Sequence, residues 1–280
     1  MPVVIAGDGT RLAYRVAGEG PALLCLPGGP MQDATYLGDL GGLATHRRLL
    51  LLDPRGSGAS GTPADAASYR CDRLVDDVER VRTHLGLERV DLLAHSAGAN
   101  LAALYAERHP DRVRRLVLVT PSVIALGVDV PDDVRAHVAR ERSHEPWYPE
   151  ASAALAELVA GRGGPGTAEA ITPFMYGRWD DAARAHHAAQ AGRRDDGAAV
   201  AYRAPGAFDP VRTRAALRRL QASVLVLAGE VDLNSPPSAM AGVAAAYGAG
   251  RLVVQPGAGH FPWVDDPEGF VATVLELLGT

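Results

Sequence analysis

The chain alternates between short, nearly unbroken apolar runs and longer stretches in which apolar residues recur at helical spacing. Runs at 22–26, 48–53, 90–95 and 115–120 are each bounded by Gly, Pro or Asp, and each predicts a buried strand. Helical patterns over 71–85 and 97–109 separate them. A strand that is apolar at nearly every position needs cover on both faces, so strand–helix units of this kind predict a parallel sheet between layers of helices. The segment 11–16, after the turn signal Gly7-Asp8-Gly9, predicts an antiparallel edge.

The pattern changes downstream of Pro121. From about 121 to 208 there is no β-rich run, only Ala-rich, charged stretches broken by Gly161-Arg162-Gly163-Gly164-Pro165-Gly166. Strand patterns resume at 223–228 and 251–255, with helical segments at 238–247 and 267–278. A sheet that is interrupted once and then completed predicts a core of residues 1–120 and 209–280 carrying a helical cap, 121–208, and not two domains in series. There is no internal repeat. An apolar fraction of 47% over 280 residues can build such a core.

Composition removes several classes of function. The 28 basic side chains are all arginines. Without lysine there is no Schiff-base chemistry and no phosphate-binding P-loop. The formal charge of −5 and the absence of a basic block argue against a nucleic-acid partner. Cys25 and Cys71 cannot make a disulfide framework or a C-x-x-C pair, so they are expected to be packing residues, and no metal site is expected. The first residues lack a basic region followed by a long apolar core, and the longest apolar stretch, near 116–128, is broken by Thr120-Pro121-Ser122. A cytoplasmic protein with no membrane partner is expected; its oligomeric state is not legible.

Ser96 is the nucleophile candidate. It lies between the apolar run Val90-Asp91-Leu92-Leu93-Ala94-His95 and a helical pattern, flanked by Ala94 and Gly98. A serine on a sharp strand-to-helix turn needs small residues two before and two after it, because the turn crowds the backbone. The sequence A-x-S-x-G meets that need, and the helix start favours negative charge beside Ser96. The alternative role is an ordinary helix cap. A nucleophilic serine also needs N–H donors for an oxyanion. Ala97 would supply one from the backbone, and the paired glycines of Pro27-Gly28-Gly29-Pro30, after the run at 22–26, would let a second approach.

The base should be a histidine and its orienter a carboxylate. Of nine histidines, His95 and His109 fall at the ends of predicted elements and read as structural. His46, His84 and His137 read as surface residues, and His186-His187 as a solvated helix face. His260, in Gly257-Ala258-Gly259-His260-Phe261-Pro262, sits on a glycine-rich loop after the last strand and is the candidate base. Asp232 and Glu230 both follow the strand at 223–228. Asp232 is preferred for its G-x-x-D spacing and for the chain order Ser, Asp, His. All three would then sit on loops at strand C-termini, where ligands of open α/β sheets bind.

Over essentially its whole length the chain resembles cap-bearing α/β-hydrolases. The residues that carry the resemblance are Pro27-Gly28-Gly29-Pro30, Asp53-Pro54-Arg55-Gly56-Ser57-Gly58-Ala59-Ser60, Ser96, Arg108-His109-Pro110, Asp232 and His260-Phe261-Pro262. The resemblance implies a mostly parallel, eight-stranded twisted sheet with helices on both faces and a cap inserted after the sixth strand. It also implies Gly29 as the second oxyanion donor, with Pro27 in the place of the usual histidine, and Arg55 as scaffold. The loops at 28–30 and 53–60 are similar to those of proline iminopeptidases, but Met31 and Pro54 depart from that pattern, as does the elbow. A serine nucleophile argues against the epoxide hydrolase and haloalkane dehalogenase branches.

The expected chemistry is hydrolysis of a small ester, lactone, thioester or amide through an acyl-enzyme, with no cofactor. Alternatives are an iminopeptidase-like aminopeptidase, a carbon–carbon bond hydrolase or lyase on the same triad, and a ligand-binding homologue without catalysis. In the cap, Trp147, Tyr148, Tyr176 and Trp179 are candidates to line a pocket for a small-molecule or short-peptide substrate. The competing role for these aromatics is to fasten the cap to the core.

Overall fold

Eight strands carry the apolar runs: β1 (Val3–Ile5), β2 (Arg11–Ala17), β3 (Ala22–Leu26), β4 (Arg48–Leu52), β5 (Val90–His95), β6 (Val113–Val119), β7 (Ser223–Gly229) and β8 (Gly250–Gln255). In the computed structural model, which describes residues 1–164 and 166–279, they form one sheet in the order β1-β2-β4-β3-β5-β6-β7-β8. β1 and β2 pair antiparallel, as do β2 and β4, and every other pairing is parallel. The antiparallel edge therefore holds two strands, of which the pattern predicted only β2. β1 is three residues long, too short for alternation to mark it.

Side chains along the strands explain the unbroken apolar runs. Leu24, Leu26, Leu92, Leu116, Leu118, Val224 and Val226 face one helical layer, whereas Leu23, Cys25, Leu93, Val117, Val119, Leu225 and Leu227 face the other. The first layer includes α1 (Cys71–His84) and α2 (Gly98–Arg108), whose Leu74, Val75, Val78, Val81, Leu101 and Tyr105 are buried. Period-2 alternation is present, but both faces are dry, so it does not show as apolar against polar. Cys25 and Cys71 are free and buried in opposite layers.

Between β6 and β7 the chain leaves the sheet and forms α3 (Asp132–Glu141), α4 (Tyr148–Val159), α5 (Thr167–Ala170), α6 (Asp181–Ala188), α7 (Asp196–Tyr202) and α8 (Pro210–Leu217). This inserted segment buries a small cluster of Val138, Ala139, Ala151 and Phe174 with Leu233 from the loop after β7. It also contributes Tyr176 and Ala183 to the core beneath. After β7, α9 (Pro237–Ala245) rejoins the first layer. After β8 come α10 (Pro262–Asp265) and α11 (Pro267–Leu278), and α11 covers the second layer with Phe270, Val274 and Leu278. Among the described residues no helix is long and apolar enough to cross a membrane.

The strand order places the site. From β3 the chain passes outward to β4, then returns across β3 to β5. The order thus reverses between β3 and β5, and the loops leaving their C-terminal ends splay apart to leave a crevice. Those two loops begin at Pro27 and Ser96.

Candidate active site

Ser96 follows β5 with φ at +50°, a left-handed conformation that non-glycine residues seldom adopt. Its N–H donates to the Val119 carbonyl, and its own carbonyl accepts from Ala99 and Ser122, so the turn is held from both sides. Gly98 is required by contact: a Cβ there would lie 2.5 Å from the Pro27 carbonyl oxygen. The tight turn lifts the Ser96 side chain off the sheet end and leaves it half-buried. The residue is no helix cap, because α2 has no side-chain capping bond and Ser96 Oγ points elsewhere.

It points to His260. Ser96 Oγ lies 2.9 Å from Nε2 of His260, and Nδ1 of the same ring lies 2.7 Å from Oδ2 of Asp232. Asp232 is fully buried and His260 is 4% exposed. The other carboxylate oxygen, Oδ1, accepts from the Asn234 N–H at 2.8 Å. An ionised carboxylate only accepts, so the proton of neutral His260 sits on Nδ1, and Nε2 is free to accept from the serine hydroxyl. The structure thus brings together the three side chains that the sequence singled out. Glu230 stays outside: it is exposed and accepts from the Gly257 N–H at 2.7 Å.

The base loop is anchored on every side. The His260 N–H donates to the Met175 carbonyl, and Asp265 accepts from Gly259 at 2.8 Å and from Gly177 at 2.9 Å. Burial holds the Asp265 carboxyl above its usual range even though these N–H groups favour the charged form. Asp265 therefore binds the base loop to the inserted segment; nothing in its short-range sequence pattern announces that role.

On the opposite wall, the N–H groups of Gly29 and Ala97 donate to no acceptor among the described residues. Tyr202 of α7 donates to the Ala97 carbonyl at 2.7 Å. Arg55 is taken up by carboxylates, with Asp77 held by two of its nitrogens and Asp8 by the third, as a scaffold residue would be. A narrow apolar cavity of about 20 Å³ lies between Pro27, Pro30 and Met31 on one side and Ala97, Gly98 and Tyr202 on the other. That is room for roughly one water molecule, not a substrate group.

The four aromatics of the inserted segment are packed against one another and against the core. Trp147 and Tyr148 meet Phe174 edge-on, at 4.9 and 6.1 Å between ring centroids, and Arg142 lies over Trp147. Tyr176 is buried against Phe261 at 5.0 Å, and Trp179 stacks on Tyr176. Tyr176 is buried in a fastening role, whereas Tyr148 also borders a space of about 480 Å³ between the helices of the inserted segment. His186 also differs from its predicted solvated face. Its Nδ1 meets the Tyr176 hydroxyl at 2.8 Å and its Nε2 meets the Tyr36 carbonyl at 2.9 Å. A groove beside the acid loop, of about 340 Å³, is bordered by Leu155, Leu158, Val159, Ile171, Phe174, Met175 and Leu233 together with Asp132, Arg135 and Asn234.

Residues 21–141 match the family described as the alpha/beta hydrolase fold. A proline iminopeptidase of Heyndrickxia coagulans is 35% identical over 39% of this chain, a stretch that spans 38% of that relative. A putative 2-succinyl-6-hydroxy-2,4-cyclohexadiene-1-carboxylate synthase of Bacillus subtilis (strain 168) is 33% identical over half of each chain. The fold extends further than these stretches. A thermophilic esterase from Thermogutta terrifontis superposes with a TM-score of 0.72 over 99% of this chain and 97% of its own, at 24% identity. With its sheet order, the match over residues 21–141 and the superposition over nearly the whole chain, the chain has the α/β-hydrolase fold.

Proposed function

We propose that this chain is a serine hydrolase cleaving a small ester, lactone, thioester or amide. The observation that carries the reading is the unbroken series of contacts from Ser96 Oγ through His260 to Asp232, at 2.9 and 2.7 Å. Ser96 Oγ attacks the substrate carbonyl carbon and its proton passes to His260 Nε2. The carbonyl oxygen becomes an oxyanion that accepts from the Gly29 and Ala97 N–H groups, each worth about 3 kcal/mol in such a site. Collapse expels the alcohol, thiol or amine, which takes the proton from His260. Water then repeats the sequence on the acyl-enzyme and restores Ser96. Asp232 keeps the imidazole in the required tautomer and stabilises its protonated form.

The inserted segment, residues 121–208, acts in this reading as the cap. Its groove beside Met175 and Leu233 has the size of a small-ligand site and pairs a largely apolar wall with Asp132, Arg135 and Asn234, which suits a substrate with an apolar group and a polar end.

The test is turnover of short p-nitrophenyl esters together with labelling by a fluorophosphonate. The expected result is reaction at Ser96 and loss of both signals in Ser96→Ala. Wild-type turnover in that variant refutes the proposal. A chain that hydrolyses proline p-nitroanilide in preference to esters would instead be an aminopeptidase, the reading suggested by the iminopeptidase relative.

A further inference from the structure

Two buried side chains that take no part in the proposed steps connect the two walls of the site. Tyr36 Oη lies 2.7 Å from the Gly28 amide nitrogen and 2.7 Å from Nδ1 of His95. Nε2 of His95 lies 2.9 Å from the His260 carbonyl oxygen, which also accepts from Thr120 Oγ1. The direction of each bond follows from chemistry. A carbonyl only accepts, so His95 carries its proton on Nε2. In a neutral imidazole Nδ1 then accepts, so the Tyr36 hydroxyl spends its one proton there, and its oxygen is left to accept from the Gly28 N–H. Burial, with the nearby His260 ring adding to it, holds His95 well below the ordinary histidine range and so keeps it neutral. Contact is equally close. A Cβ on Gly28 would lie 2.8 Å from the Ser96 Cβ and 3.3 Å from His95 Nδ1, so the 27–30 loop rests on both residues.

We propose that Tyr36 and His95 are positioning residues: one oriented chain, Gly28 N–H to Tyr36 to His95 to the His260 carbonyl, sets the glycine loop and the base loop at a fixed distance across Ser96. The inference rests on Ser96 and His260 being the reacting pair. Without the Tyr36 hydroxyl, both the Gly28 N–H and His95 Nδ1 lose their partner, and the next peptide N–H, that of Gly29, is no longer aimed.

Two measurements on the full chain test it. The first is the ¹⁵N spectrum of the histidine rings near pH 7.5, where His95 is expected in the Nε2–H form. A Nδ1–H or doubly protonated His95 overturns the proposal whether or not the chain has esterase activity. The second is kinetics of Tyr36→Phe on a p-nitrophenyl ester, with inhibition by an aryl trifluoromethyl ketone, whose Ser96 adduct carries an oxyanion. The expected change is a fall in kcat of about 10- to 100-fold, below the full loss of one oxyanion donor. KM should stay within about twofold, and ketone affinity should fall in parallel with kcat. His95→Gln, which keeps a donor for the His260 carbonyl, should retain more kcat than His95→Ala. An unchanged kcat in Tyr36→Phe, or a fall that only follows the loss of folded protein, overturns the proposal. Failure of wild-type Ser96 to react with a fluorophosphonate, with His95 still in the Nε2–H form and the Gly28 amide shifting in Tyr36→Phe, would refute the hydrolase reading alone and leave the chain of bonds standing without a catalytic role.

Discussion

The two edges of the parallel sheet each bury an aspartate, and they use it in opposite ways. At the C-terminal edge Asp232 is fully buried and faces an imidazole 2.7 Å away. At the N-terminal edge Asp91, 1% exposed, faces the guanidinium of Arg47 at 2.5 Å and that of Arg114 at 2.7 and 2.8 Å. An imidazole can take up and release a proton near neutral pH, whereas a guanidinium cannot. The backbone follows the same division. Of the four non-glycine residues with positive φ among the described residues, three, Met31, Ser96 and Thr120, lie in loops at the C-terminal edge. Such conformations cost of order 1–3 kcal/mol each and persist only where packing over-determines them. The N-terminal edge instead ties β4, β5 and β6 to the end of α11, because Arg47 also donates to the Leu278 carbonyl. In the proposed reading one edge holds the chemistry in strained loops, and the other holds strands together with permanent charge.

Ser96→Ala should break the comparison most sharply. If the C-terminal edge is the reaction centre, the variant loses on the order of 10⁶ in kcat while its thermal midpoint stays close to wild type. Turnover of p-nitrophenyl esters alongside calorimetry checks both halves. The paired substitutions Asp232→Asn and Asp91→Asn come next. Asp232→Asn should lower kcat by about 10⁴ because the amide favours the wrong His260 tautomer. Asp91→Asn should leave kcat per folded molecule unchanged but cost about 3–5 kcal/mol of stability, since Arg47 is left buried without its countercharge. Equal losses of activity in the two variants would show that the edges are not separable.

A smaller effect is expected from pH. Burial holds His95 and His186 below the ordinary histidine range, and the folded protein therefore binds fewer protons than the unfolded chain as pH falls below about 6.5. Their stabilisation is present above that pH and is lost progressively as pH drops toward the folded-state values. The loss should be at most about 1.4 kcal/mol per pH unit for each histidine. Asp77 and Asp265, which burial holds above the usual carboxyl range, act with the opposite sign, and carboxylates held low act only in more acid solution. Glu79, for example, is held at about 2, chiefly by its hydrogen bond from Arg82, and its contribution fades only in more acid solution. Thermal midpoints between pH 7.5 and 5 should decline in the wild type, and His95→Gln should flatten the slope.

The C-terminal edge was the more legible of the two. Ser96, Asp232 and His260 could be singled out because each needs a local pattern: small flanking residues at the elbow, and glycine-rich or turn sequences after a strand. The parallel sheet could be read because strands with two dry faces are apolar at nearly every position. What could not be read are the contacts that depend on distant chain segments. Tyr36 is 59 residues from His95, and Arg47 is 44 from Asp91, so no window of sequence relates them. The same holds for Asp265 and Tyr202, whose partners belong to other elements. For Trp147, Tyr148, Tyr176 and Trp179 the sequence offered aromatic rings without direction. Ring-to-ring packing sets the direction of Tyr176 and Trp179, and no window of sequence encodes it.

The N-terminal edge can be dissected further by its own arginines. Arg114 and Arg115 are 46% and 35% exposed and approach the same Asp91 oxygen, at 2.7 and 3.5 Å, while the Arg47 side chain is 2% exposed. Removing Arg114 leaves Asp91 with two other cations, one of them buried, so Arg114→Gln should cost no more than about 1 kcal/mol. That small loss should shrink further in 1 M salt, where the screening length is about 3 Å. Arg47→Gln should cost several times as much and respond little to salt, because water and ions do not reach the pair. Urea midpoints of the two variants at low and high salt provide the measurement. If Arg114→Gln proves the more damaging of the two, the lock of this edge lies at its surface and not beneath it, and the contrast between a buried proton relay and a buried charge cluster would have to be redrawn.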